Sequence, residues 1–268
     1  MCETCGCGLP SEHRHLPHED PNPATIGNEA DRNVTVTVFR DLLSENDHQA
    51  AHNREHFREH DVLVINLMSS PGAGKTNLIE ATIESLRGKA GIAVIEGDLE
   101  TENDATRIRA HGVPAIQITT GSACHLDAHM VHNALHRLDL TEFDIVFIEN
   151  VGNLVCPASF DLGQHYNVVL LSVTEGDDKP AKYPVMFRAA DLMLLTKTDL
   201  LPYLDDFDPE KAKHHLRALA NAAPVISLST RADSDQVDDG RGNGMAAWIH
   251  WLLAAKEKIH FERETTFA

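Results

Sequence analysis

Ser69-Ser70-Pro71-Gly72-Ala73-Gly74-Lys75-Thr76 follows the apolar run Val62 to Met68 and precedes a stretch with helical periodicity. A Gly-Lys-Thr sequence at a strand-to-helix turn is the end of a P-loop. Glycines let backbone N–H groups turn inward around phosphate oxygens at a helix N-terminus, Lys75 reaches the β and γ phosphates, and the Thr76 hydroxyl ligates Mg²⁺. Pro71, Gly72, Ala73, Gly74 and Asn77 complete the expected cradle, and Ser69 stands where the usual pattern has its first glycine.

Outward from this loop, short apolar runs alternate with helical stretches, the signature of a mostly parallel, doubly wound α/β sheet covered by helices on both faces. The runs are Val62 to Met68, Ile92 to Ile95, Ala115 to Ile118, Ile145 to Ile148, Val168 to Val173, Leu192 to Leu195 and Val225 to Leu228. Helices are expected near Lys75 to Gly88, Leu126 to Leu138, Pro184 to Ala190, Pro209 to Asn221 and Gly244 to Glu257. In such a sheet the ligand sits beyond the carboxyl ends of the strands, so the polar residues there carry weight. Asp98 and Glu149 are candidates for the Mg²⁺ shell, and either could orient an attacking water; Gly152 can bring a backbone N–H near the γ phosphate. Thr196-Lys197-Thr198-Asp199 resembles the Asn-Lys-x-Asp guanine motif, in which the Asp carboxylate accepts from the ring N1–H and exocyclic amine that adenine lacks. Thr196, Lys197, Asp199, Ser227 and Leu228 are the expected base end of a GTP or GDP site.

The 268 residues carry 41 acidic against 23 basic side chains, a net charge of −18, and 42% are hydrophobic. That charge, without a basic block, argues against nucleic acid or an anionic membrane as partner. No stretch approaches the roughly 18 to 20 apolar residues of a membrane helix, and Met1-Cys2-Glu3-Thr4 lacks a signal segment, so a cytoplasmic protein is expected. Residues 1 to 33 have hardly any bulky apolar side chain and read as a flexible arm. A leading amphipathic helix is expected over 34–60, with Phe39, Leu43, Ala50 and Phe57 on one side, inside a nucleotide-binding domain spanning 34–258; residues 259–268 read as a tail, and Arg231 to Asn243 as a surface insertion.

Three of the five cysteines, Cys2, Cys5 and Cys7, crowd onto the arm, too close to cross-link a fold usefully, and histidine is abundant at 17 copies. Sulfur and imidazole donors point to a late transition metal, Ni²⁺ or Zn²⁺. Cys124, His125 and Cys156 emerge on the nucleotide rim, where a held metal would sense the nucleotide, although a single cysteine such as Cys156 is as readily a small buried apolar residue. His48, His52, His56 and His60 repeat every fourth residue opposite the apolar face and read as a solvated stripe, with His13, His15 and His18 better placed on the arm for metal capture.

These runs together resemble the HypB family of hydrogenase nickel-incorporation GTPases. The resemblance rests on Met1 to Gly8, Val64 to Thr76, Glu96-Gly97-Asp98, Gly121 to Asp127, Glu149 to Pro157 and Gly244 to Trp251, in order along the chain. It implies a dimerising P-loop GTPase that helps load nickel into [NiFe]-hydrogenase, with the accessory protein HypA and the hydrogenase large-subunit precursor as partners. It also implies two metal sites: a tight nickel site at Cys2, Cys5 and Cys7, and a nickel or zinc site at Cys124, His125 and Cys156. Thr196 departs from the family's usual Asn. The competing expectations are a passive nickel-binding or storage protein on a P-loop scaffold and an ATP-dependent P-loop enzyme, such as a small-molecule kinase, with incidental metal binding.

Overall fold

Strand β1 (Leu63–Ser69) is buried along its whole length, as a strand must be when helices cover both faces of its sheet. Its alternate residues serve opposite cores: Leu63, Ile65 and Leu67 pack on one side with Leu78, Ile79 and Trp248, while Val64 packs on the other with Phe57, Val131 and Leu135, the period-two alternation of a pleated strand. The computed structural model describes residues 29–98, 102–121, 123–231 and 244–266. Around β1 stand β2 (Ile92–Asp98), β3 (Ala115–Thr119), β4 (Ile145–Glu149), β5 (Tyr166–Ser172), β6 (Leu192–Thr196) and β7 (Val225–Ser227). The sheet has seven strands in the order β3-β2-β4-β1-β5-β6-β7. Every pairing is parallel, where the alternating pattern alone indicated a mostly parallel sheet.

The helices are α1 (Glu29–Glu59), α2 (Lys75–Leu86), α3 (Asn103–Ala110), α4 (Ala128–Leu135), α5 (Lys179–Lys182), α6 (Pro184–Arg188), α7 (Pro209–Ala218) and α8 (Met245–Thr266). Helices α2 and α8 cover one face, and α8 is anchored by fully buried Trp248, whose Nε1 donates to Thr82 Oγ1 at 2.8 Å. Helices α1 and α4 cover the other face around β1, β2 and β4. None of the described helices is long and apolar enough to cross a membrane.

Boundaries differ from the sequence reading at informative places. Helix α1 starts at Glu29 rather than Val34, and α8 continues to Thr266 through the stretch read as a tail. The α8 extension is tied down: Lys256 Nζ lies 3.2 Å and His260 Nδ1 2.7 Å from Asp61 Oδ2, in the turn before β1. Strand β2 runs through Glu96 and Gly97 to Asp98, so these residues belong to the strand and not to the loop after it. Helix α3 was not expected, because only Ala105 and Ile108 of its residues are buried and its apolar signal is weak. Residues 1–28, with Cys2, Cys5, Cys7, His13, His15 and His18, and most of the expected insertion lie outside the described residues.

Candidate functional site

The turn between β1 and α2 holds Gly72 at φ 75° and Gly74 at φ 100°, left-handed values that a side chain would strain. Lys75 and Thr76 therefore open α2 with their backbone N–H groups uncommitted to the helix, at the positive end of its dipole. Lys75 Nζ donates to Ser69 Oγ at 3.1 Å. The serine in place of the pattern's first glycine thus holds the lysine. The segment after β6 is fastened to the same loop: Thr196 Oγ1 donates to the Ala73 carbonyl and Lys197 Nζ to the Gly72 carbonyl, each at 2.7 Å. A hydroxyl at 196 makes a contact that an amide of different reach would have to rebuild.

A cavity of about 410 Å³ opens over this turn. Pro71, Gly72, Gly74, Lys75, Thr76, Asn77, Asp98, Glu149, Gly152 and Lys197 line it, together with Glu96, Asp104 and Arg107, which the sequence reading did not single out. Of the expected base end only Lys197 reaches this lining; Thr196, Asp199, Ser227 and Leu228 lie outside it. Asp199 Oδ1 accepts from Ser229 Oγ at 2.7 Å, Ser227 is exposed, and Leu228 is fully buried with its N–H on the Leu195 carbonyl at 2.8 Å. Ser229, which orients Asp199, carries no motif that could have revealed it.

At the deep end of the cavity, Thr76 Oγ1 donates to Glu149 Oε1 at 2.9 Å. Glu96, Asp104 and Glu149 each present an oxygen within 4.8 Å of the others. Glu149 Oε2 and Glu96 Oε2 are buried without a donor. Burial first, then the Glu149 charge and a hydrogen bond shared with it, push the Glu96 carboxyl up to about 11. Burial also raises Glu149, against the pull of Lys75, Glu96 and Thr76. Burial thus disfavours charge on both carboxyls, and their orphaned oxygens suit a hard divalent cation such as Mg²⁺. Asp98 lines the cavity but is not one of this trio; its carbonyl accepts from Thr120 N–H at 3.0 Å. Glu96 was legible as a second acid on the Asp98 side of the strand, two residues away, whereas Asp104 belongs to the unexpected α3. Arg107 Nη2 donates to Asn77 Oδ1 at 2.7 Å and Glu80 Oε2 at 2.6 Å, bracing the start of α2.

Beyond β3 and β4, Cys124 Sγ stands 2.9 Å from Cys156 Sγ and 3.8 Å from His125 Nδ1. Neither cysteine forms a disulfide and both are half-buried, and the His125 ring stacks on Phe160 with centroids 3.9 Å apart. Burial holds the imidazole below the ordinary histidine range, with Asp127 opposing. Two thiols and a neutral imidazole converging on one point are a donor set for a late, borderline-soft metal. One loop links this cluster to the cavity. A Cβ on Gly152 would meet Pro71 Cα at 3.0 Å, so the loop leans directly on the P-loop, and Asn153 Nδ2 then donates to the Cys124 carbonyl at 3.3 Å.

A family model described as the CobW/HypB/UreG nucleotide-binding domain matches residues 63–227. A hydrogenase maturation factor HypB of Azotobacter vinelandii is 54% identical over 217 residues, 81% of this chain and 68% of that protein. The chain belongs to the HypB hydrogenase maturation factors. Another member of the family, from Escherichia coli K12, is 49% identical over 89% of this chain and 78% of its own. A HypB structure from Helicobacter pylori, solved in complex with nickel, superposes with a TM-score of 0.72 at 40% identity, over 80% of this chain and 96% of that one. Members of this family share a P-loop nucleotide-hydrolase fold, consistent with the turn and cavity described above.

Proposed function

We propose that this chain is a GTP-hydrolysing nickel metallochaperone acting in [NiFe]-hydrogenase maturation, in which the nucleotide state gates dimerisation and metal release. The observation that carries the reading is the 150–156 loop, which touches the phosphate cradle at Gly152 and delivers Cys156 to Cys124. A γ phosphate gained or lost beside Gly152 displaces that loop, and the displacement changes the distances among three metal donors. Lys75 neutralises developing phosphate charge, Glu149 with Asp98 or Asp104 orients the attacking water, and Asp199 selects guanine. Thr76, Glu149 and Asp98 would hold Mg²⁺, which when bound spreads charge over the β and γ oxygens. Cys2, Cys5 and Cys7 are proposed as a separate tight nickel site. A homodimer, HypA and the hydrogenase large-subunit precursor are the proposed partners, in the cytoplasm.

The test is calorimetry of Ni²⁺ binding to the full chain with GDP and with a non-hydrolysable GTP analogue, on wild type and on Cys124→Ser/Cys156→Ser. Wild type should show one site whose affinity changes with nucleotide, and the double variant should lose that site while keeping the nucleotide-independent binding. Lys75→Ala should lower GTP hydrolysis by at least about a hundredfold. Nickel binding indifferent to the nucleotide would overturn the gating and favour passive storage.

A further inference from the structure

The histidine stripe of α1 does not face solvent alone. His52 meets His132 of α4 across the helix pair, and His136 caps the C-terminal end of α4. The His52 and His132 rings stand 5.0 Å apart, the His56 and His60 rings 5.1 Å, and the His132 and His136 rings 4.6 Å, all edge to face. Nε2 of His132 lies 3.2 Å from Nε2 of His136. Two imidazole nitrogens bound to one ion at about 2.0 to 2.1 Å stand about 2.8 to 3.4 Å apart for angles between square-planar and tetrahedral.

The tautomer of His132 follows from its neighbours. Asn53 is fully buried, and its Nδ2 donates to the Ala128 carbonyl at 2.8 Å and the Leu162 carbonyl at 3.1 Å. The amide is thereby pinned with Oδ1, an acceptor only, 3.1 Å from His132 Nδ1. His132 Nδ1 must carry the proton, which leaves a bare lone pair on Nε2, aimed at His136. A ring nitrogen donating to a fixed carbonyl while the other faces outward is how proteins orient a metal-ligating histidine. His56 adds a buried Nδ1 that has no hydrogen-bond partner. Burial first, and then the neighbouring imidazoles, hold both His56 and His132 below the ordinary histidine range, so both are in the neutral, metal-binding form.

We propose that His132 and His136, joined by His56 or His52, form a nitrogen-only site between α1 and α4 for a late first-row divalent cation such as Ni²⁺ or Zn²⁺. The site is distinct from the sulfur cluster at Cys124 and Cys156 and does not depend on the nucleotide reading. Two donors are preset. No third His, Cys, Asp or Glu atom among the described residues lies within 4.8 Å of both, so the third ligand turns in when the ion arrives. An ion there staples the leading helix to the domain.

The test uses the full chain with all five cysteines changed to serine, titrated with Ni²⁺ and Zn²⁺ alone against a chromophoric chelator, with X-ray absorption on the loaded protein. One equivalent is expected, with nitrogen and oxygen neighbours and the outer-shell scattering of imidazole. His136 is exposed, so His136→Gln should leave circular dichroism and metal-free melting unchanged while weakening that equivalent at least about tenfold. Metal should raise the melting temperature of the parent and not of the variant. In the otherwise wild-type chain, His136→Gln should bind one equivalent fewer. Binding as tight in His136→Gln as in its parent, in either background, would overturn the site and place the ion on other histidines.

Discussion

Glu96 and Glu149 show how burial divides work between identical side chains. Both are nearly inaccessible, at 2% and 3% exposure, but only Glu149 accepts from the P-loop threonine. Burial first, and then the carboxyl of Glu149 beside it, raise Glu96 and favour its neutral acid form. A neutral carboxyl is mimicked by an amide, so Glu96→Gln should keep GTP hydrolysis within about threefold of wild type, while Glu149→Gln should lose about a hundredfold or more. Stability supplies a second readout. A carboxyl raised in the folded state binds its proton more tightly there than in the unfolded chain, so its contribution is intact below the unfolded value and is lost as pH rises toward about 11. Glu96→Gln should accordingly melt higher than wild type at pH 8, and the gap should close toward pH 4.5, as read by calorimetric scans in chelator without nucleotide.

Strand β1 owes its entry register to a side chain. His165, just before β5, donates its backbone N–H to the Val64 carbonyl at 2.9 Å and accepts the Val64 N–H on its ring Nδ1 at 3.0 Å. Burial first, then Arg54 and Lys256, lower the imidazole to about 4. A histidine depressed in this way supports the fold while neutral; its contribution is complete above the ordinary value near 6.5 and is lost as pH falls toward about 4, because the unfolded chain takes up the proton first. Unfolding free energies from urea titrations should therefore fall more steeply from pH 7 to pH 4.5 in wild type than in His165→Asn, by up to about 1.4 kcal/mol per pH unit. None of this is visible in sequence, where His165 is one histidine among 17. The strands themselves were legible, because a strand covered on both faces must be a continuous apolar run. Helix α3 was not, because a short surface helix with two buried residues leaves almost no periodic signal.

The whole molecule places the nucleotide cavity and the sulfur cluster at the two ends of one loop, and that loop exposes Val155 at 56% beside Cys156. In the proposed homodimer, this exposed apolar side chain beside the sulfur cluster is where a second copy would pack. Val155→Glu should lower the dimer fraction measured by light scattering with Ni²⁺ and a GTP analogue at least about tenfold, and leave monomer melting unchanged. From the sequence alone came the P-loop, the number of strands, the family and the identity of most candidate donors, because each of these is written in contiguous residues whose chemistry is local. What only the tertiary structure decided is which donors meet. Asp104 joins Glu96 and Glu149 from a helix the pattern hides, and Ser229 reaches Asp199. Asn53 sets the tautomer of His132 from another helix, and Gly152 touches Pro71. Most of these contacts join residues tens of positions apart, and they form only when the helices pack on the sheet and bring separate segments together.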